Sequence, residues 1–156
     1  MIAANENTST PPENLVRAMR MEFAIRQQPE PQAWTIATLA FDSFLQPAPA
    51  GLRSGSVRSR QVVYEAEGFT VDLRFDRQPN STTICAAGQV LDKQGPHGSL
   101  AGIAVILWTD KGRALATTEA NEFGEFQLEF EQHEQLRLSI DMAGRKTLRI
   151  PLGSLE

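Results

Sequence analysis

From Gln61 onward the chain alternates. Val62, Tyr64 and Ala66 fall on one side of an extended backbone and Val63 and Glu65 on the other, because successive side chains of a strand point to opposite faces. Glu67-Gly68 interrupts the run. Phe69, Val71, Leu73 and Phe75 resume it, with Thr70, Asp72, Arg74 and Asp76 between them, which predicts a hairpin with one wet face. Further extended runs follow over 82–91, 103–109 and 114–118, then at Phe126, Leu128 and Phe130, at Leu136, Leu138 and Ile140, and at Leu148 and Ile150, where Pro151 ends the last one. Asp110-Lys111-Gly112 and Asn121-Glu122-Phe123-Gly124 read as tight turns in which glycine supplies the positive φ. No segment between the runs is long or periodic enough for a crossover helix, which argues for a Greek-key sandwich rather than a parallel sheet. The pattern predicts a mainly β protein, an antiparallel Greek-key β-sandwich of seven or eight strands. Its core should centre on Tyr64, Val71, Leu73, Val90, Val105, Leu107, Phe126, Leu128 and Leu138.

Before Gln61 the period differs. Thr10-Pro11-Pro12-Glu13 places a capping hydroxyl ahead of two prolines whose missing N–H groups cost nothing in a first helical turn, and Glu13 completes a capping box. Leu15, Met19 and Phe23 then recur at every fourth position beside Val16, which predicts an amphipathic helix of about four turns. Pro29 and Pro31 stop it. Over 33–45, Trp34, Thr35, Ile36, Thr38, Phe41 and Phe44 favour an extended arm, although Ala37, Phe41 and Leu45 also fit one helical face. Residues 46–60, with Pro47, Pro49, Gly51 and Gly55, read as an irregular linker carrying Arg53, Arg58 and Arg60. The expected organisation is a helix, arm and linker over 1–60 and a β-sandwich domain over 61–156.

Composition narrows the function classes. A length of 156 residues suits one core with an appendage, and 41% hydrophobic with 22% charged residues is ordinary for a folded chain. A net charge of −4 argues against broad affinity for nucleic acid or anionic lipid, both of which need clustered cations. Cys85 is the single cysteine, so neither an intramolecular disulfide nor a multi-thiolate zinc site is available, and its apolar run (Ile84, Ala86, Ala87) predicts a buried thiol. The first ten residues lack the basic start and apolar run of a signal peptide, and no stretch reaches the ~18 apolar residues of a membrane span. The expectation is a cytoplasmic protein, in which the sequons at Asn7 and Asn80 are chance matches.

Chemistry is sparse. His97 and His133 stand in polar loops without a second histidine at ligand spacing, and no G-x-S-x-G or comparable nucleophile pattern occurs. Glu122, Glu125, Glu129, Glu131 and Glu134 are mostly the polar half of an alternating strand, with too few oxygens around one turn for calcium. The reading is a non-enzymatic protein with no cofactor and no metal. The apolar residues before Gln61 exceed what one short helix can hide: they pack either on the sandwich or on another protein, by helix-in-groove or strand addition. The candidate partner-binding residues are Leu15, Met19, Phe23, Trp34, Phe41, Phe44, Arg53, Arg58 and Arg60. An alternative is a small-ligand or carbohydrate accessory domain using the loops 92–98 and 121–124, where Phe123 is the only aromatic.

Two stretches resemble known families. Gly88-Gln89-Val90-Leu91-Asp92, Ala101-Gly102-Ile103-Ala104-Val105 and Thr117-Thr118-Glu119-Ala120-Asn121-Glu122-Phe123-Gly124-Glu125-Phe126-Gln127-Leu128 resemble the carboxypeptidase regulatory-like, transthyretin-type sandwich. That resemblance implies an accessory or interaction domain. Ala40-Phe41-Asp42-Ser43, the segment 47–55, Ser59-Arg60-Gln61-Val62-Val63-Tyr64-Glu65-Ala66 and Val71-Asp72-Leu73-Arg74 resemble the C-terminal portions of bacterial proteins associated with extracytoplasmic-function sigma factors, some of them anti-sigma-like. The His and Cys residues of the zinc-binding anti-sigma pattern are missing from this chain. The resemblance implies a regulatory protein; the expected partner is a sigma factor or, since Arg53, Arg58 and Arg60 offer an exposed basic linker, a protease.

Overall fold

The computed structural model describes residues 34–45, 59–95, 99–142 and 146–155, together with Arg17. The helix expected behind Thr10 and the linker arginines Arg53 and Arg58 lie outside them. The described residues form ten strands: β1 (Trp34–Ile36), β2 (Thr38–Asp42), β3 (Ser59–Ala66), β4 (Phe69–Arg77), β5 (Thr83–Asp92), β6 (Ala104–Thr109), β7 (Ala114–Glu119), β8 (Glu125–Glu131), β9 (Leu136–Asp141) and β10 (Thr147–Gly153). They build two five-stranded sheets, sheet I in the order β1-β10-β9-β6-β7 and sheet II in the order β2-β3-β4-β5-β8. The molecule is a mainly β, two-sheet sandwich.

The strand count exceeds the expected seven or eight because the segment before the linker contributes two more. It is extended, and it serves both sheets. β1 lies parallel to β10, pairing Trp34 with Thr147 and Ile36 with Arg149, whereas β2 lies antiparallel to β3. Ala37 is the crossing point: its side chain is buried, and its N–H donates to the Arg149 carbonyl at 2.8 Å. A strand that changes sheets in this way closes one side of a sandwich at a bend.

Every residue expected in the core is buried there. The alternation explains why, since Val71, Leu73 and Phe75 of β4 and Ala86 and Val90 of β5 share the inward face that Val105, Leu107, Leu138, Ile140 and Ile150 meet from sheet I. Each of these Val, Leu, Ile and Phe side chains contributes about 1.5–3 kcal/mol by leaving water. Cys85 departs from expectation. The apolar run around it is still a strand, so Ile84 and Ala86 point inward while Cys85 is only half-buried on the outer row beside Asp76 and Glu129. Pro151 does not end β10, which continues to Gly153. Beyond Arg149 the strand has lost β1 as a neighbour, so the missing N–H of Pro151 breaks no ladder on that side.

Gly88, Val90, Gly124 and Phe126 interlock. A Cβ at Gly88 would run into the Phe126 ring and come within 2.8 Å of Leu73 Cδ2. Gly124 sits at φ 76° with the Val90 carbonyl directly behind it, and its own carbonyl accepts the Val90 N–H at 2.9 Å. The turn between β7 and β8 is thereby pinned onto β5 in the opposite sheet from β7.

Candidate interaction surface

Large apolar side chains outside the core are concentrated in one short stretch. On β1, Trp34 and Ile36 share the outer row with Arg149, since Thr35 pairs with core-facing Leu148. They are 43% and 57% exposed. Past the crossing, Leu39 is exposed on β2, and the turn after it leaves Phe44 48% and Leu45 77% exposed. These five side chains line the edge at which the chain passes from one sheet to the other.

Local chemistry fixes this edge. β2 carries a bulge at Ala40, so Leu39 pairs with Tyr64, Phe41 with Val63 and Asp42 with Val62. One extra residue turns Asp42 toward the interior side and Phe41 to the outer row, where it is half-buried. A carboxylate placed inward needs partners. Asp42 Oδ1 accepts from the Phe44 N–H at 2.9 Å and from Arg60 Nε at 3.1 Å, and Asp42 Oδ2 accepts from Arg60 Nη2 at 2.6 Å. Arg60 also donates from Nη1 to the Ser154 carbonyl at 3.0 Å, and its guanidinium lies 5.2 Å from the centre of the Phe44 ring. Ser43 and Gln61 exchange bonds alongside, the Ser43 N–H donating to the Gln61 carbonyl and the Gln61 N–H to Ser43 Oγ.

Electrostatics follow from this packing. The bond from Arg60, opposed by burial and aided by the Phe44 N–H and the Arg60 charge, holds the Asp42 carboxyl below its ordinary range. The same bond from the other side raises Arg60 further above neutrality. Burial pushes the Tyr64 phenol up. That hydroxyl donates to the Pro151 carbonyl at 2.9 Å, which ties β3 of sheet II to β10 of sheet I.

The apolar edge continues over sheet I. Ile36, Arg149, Ser139 and Ile106 form one outward row across β1, β10, β9 and β6. Arg149 stacks over the Trp34 ring at 4.4 Å, an arrangement that keeps a cation at an aromatic surface. In the next row Arg137 pairs with Trp108, whose Nε1 donates to Ser139 Oγ at 2.7 Å, and Arg137 Nε is buried without a hydrogen-bond partner. The surface therefore offers tryptophan, isoleucine and arginine side by side.

Of the residues marked from the sequence, Trp34 and Phe44 stand exposed on this edge, Phe41 lies half-buried on the outer row of sheet II, and Arg60 is committed to Asp42 and the Ser154 carbonyl. Leu15, Met19, Phe23, Arg53 and Arg58 fall outside the described residues. Leu39, Arg149, Arg137 and Trp108 were not marked, because nothing local distinguishes them from other alternating positions. Only strand order brings Arg149 beside Ile36 and places Arg137 and Trp108 farther across the same sheet. Set against family models, curated proteins and solved structures, the chain matches none of them.

Proposed function

We propose that the protein is a non-enzymatic adaptor that holds a protein partner on the edge formed by Trp34, Ile36, Leu39, Phe44 and Leu45. The observation that carries this reading is the concentration of exposed large apolar side chains in a single stretch of twelve residues, 34–45, which holds five of the seven exposed among the described residues, Leu91 and Phe123 being the other two. Trp and Arg dominate the energetically important centres of protein interfaces, and Arg149 over Trp34 supplies both. The partner face it suits is apolar.

The resemblance to sigma-factor-associated proteins makes a bacterial extracytoplasmic-function sigma factor the first partner to test, in a cytoplasmic setting, and a protease the second. The finer reading of the sandwich as Greek-key and transthyretin-type belongs to the same proposal. It draws support from the way the motif residues Gly88, Val90, Gly124 and Phe126 pack on one another.

The test is co-purification of the tagged full chain from its native host, wild type beside a Trp34→Ala/Ile36→Asp variant. The reading predicts that a sigma factor elutes with the wild type and is lost with the variant, and that the purified pair reassociates. A protease in its place reassigns the partner. A wild-type monomer with no partner, matched by the variant, refutes the adaptor reading.

A further inference from the structure

A second feature lies toward the opposite edge of sheet II. The outer face over β4, β5 and β8 carries an open depression of about 590 Å³. Its cause is a short side chain in the middle of a polar row: Gln61, Arg74, Ala87 and Gln127 are successive cross-strand neighbours, and Ala87 leaves a hollow between the long side chains around it. The adjoining row, Asp72, Gln89 and Glu125, supplies carboxylate and amide oxygens. Thr118, Glu119 and Asn121 wall it on the β7 side.

The polar groups are held in place by one another. Gln61 Nε2 donates to both Asp72 carboxylate oxygens at 3.1 Å, Asn121 Nδ2 donates to Glu125 Oε2 at 2.9 Å, and Gln89 Nε2 donates to the Phe123 carbonyl at 3.3 Å. The amide oxygens of Gln61 and Gln89 and the remaining carboxylate lone pairs stay available to outside donors.

Phe123 sits between Asn121 and Glu125 in the chain and is 64% exposed. Hydrogen bonds close its turn. Asn121 Oδ1 accepts from the N–H groups of both Phe123 and Glu125 at 2.9 Å, the Gly124 N–H donates to the Asn121 carbonyl at 3.0 Å, and Gly124 is backed against Val90. A large aromatic kept exposed on a turn closed by several hydrogen bonds offers contact area at little further cost in chain entropy.

We propose that this depression, together with Phe123 exposed on the turn between its lining residues Asn121 and Glu125, binds a neutral polysaccharide chain. A pyranose ring presents a flat C–H face that lies on an aromatic ring, and a fan of hydroxyls that amide and carboxylate oxygens accept. Small-ligand sites combine an apolar wall with a few placed polar groups in this manner. Charge selects among sugars: three carboxylates, Asp72, Glu119 and Glu125, face one guanidinium, Arg74, which Asp76 already engages at 3.1 Å. Uronate and sulfated chains are repelled. The site is distinct from the Trp34 edge, so the two readings stand or fall separately.

Affinity electrophoresis of the full chain in gels containing mixed-linkage β-glucan, xylan, galactomannan or soluble starch, with polygalacturonate and alginate as acidic controls, tests the site. Retardation is expected in at least one neutral polymer and in neither acidic one. Phe123→Ala weakens that binding by about fivefold to tenfold, and Gln89→Ala weakens it too. The Trp34→Ala/Ile36→Asp variant binds as the wild type does. Circular dichroism melting checks that Phe123→Ala folds normally. The proposal is overturned by free migration in all four neutral gels, by equal retardation in acidic gels, or by a folded Phe123→Ala variant that binds like the wild type.

Discussion

Asp42 and Arg60 meet as a two-point pair, Nη2 to Oδ2 at 2.6 Å and Nε to Oδ1 at 3.1 Å, with the carboxylate side chain 3% exposed. Through it the end of β2, the start of β3 and the carbonyl of Ser154 beyond β10 are joined at one guanidinium. Removing the cation leaves an inward carboxylate with only the Phe44 N–H for company. Arg60→Ala is expected to lower stability by about 2–3 kcal/mol, whereas Arg60→Ala combined with Asp42→Leu costs less than the single change. Urea unfolding of the three proteins checks this.

The same pair sets an acid limit. Asp42 titrates below its ordinary value when folded, chiefly because Arg60 bonds its charged form. The unfolded chain therefore takes up the proton first as pH falls, and the stabilisation is complete above about pH 3.9 and lost below it, through the folded pKa. Asp42→Asn should flatten that acid dependence. Tyr64 works at the other end, because burial raises its folded pKa above the unfolded value near 10. Stability falls as pH rises through about 10, since the unfolded chain there releases a proton that the folded one keeps. Tyr64→Phe removes this alkaline fall, and melting temperature against pH displays both effects.

Gly88 is held by contact rather than by backbone conformation, because only its missing Cβ lets the Phe126 ring lie across β5. Gly88→Ala should cost about 2–3 kcal/mol through overpacking. Gly88→Ala with Phe126→Leu should recover part of that loss. A double mutant less stable than Gly88→Ala alone would remove the overlap as the explanation.

The exposed edge should behave differently from the core. The Ile36 side chain is more than half exposed, so Ile36→Asp is expected to change stability by less than about 0.5 kcal/mol. Trp34→Ala gives up the stack with Arg149 and costs about 0.5–1 kcal/mol. Thermal unfolding of each variant, read beside partner co-purification, separates a binding surface from a structural one. A loss above about 2 kcal/mol for either residue would mark the edge as part of the fold.

The sequence by itself determined the two-sheet sandwich and its core, because alternation has a period of two and only one face of Phe69-Thr70-Val71-Asp72-Leu73 can leave water. It also located the turns at Glu67-Gly68, Asp110-Lys111-Gly112 and Asn121-Glu122-Phe123-Gly124, where glycine adopts φ 80°, 75° and 76°. It singled out Trp34 and Phe44 as apolar residues without an obvious place. The tertiary structure decided what no local pattern encodes. Whether β1 joins β10, so that Arg149 reaches Trp34, depends on pairing across more than a hundred residues of chain. That Asp42 turns inward depends on one bulge at Ala40, and that Arg60 answers it depends on β2 and β3 lying side by side. The polar row over Ala87 exists only once β3, β4, β5 and β8 are neighbours. Periodicity settles which side chains face the core, but strand order settles which of the others meet, and strand order is fixed by long-range packing.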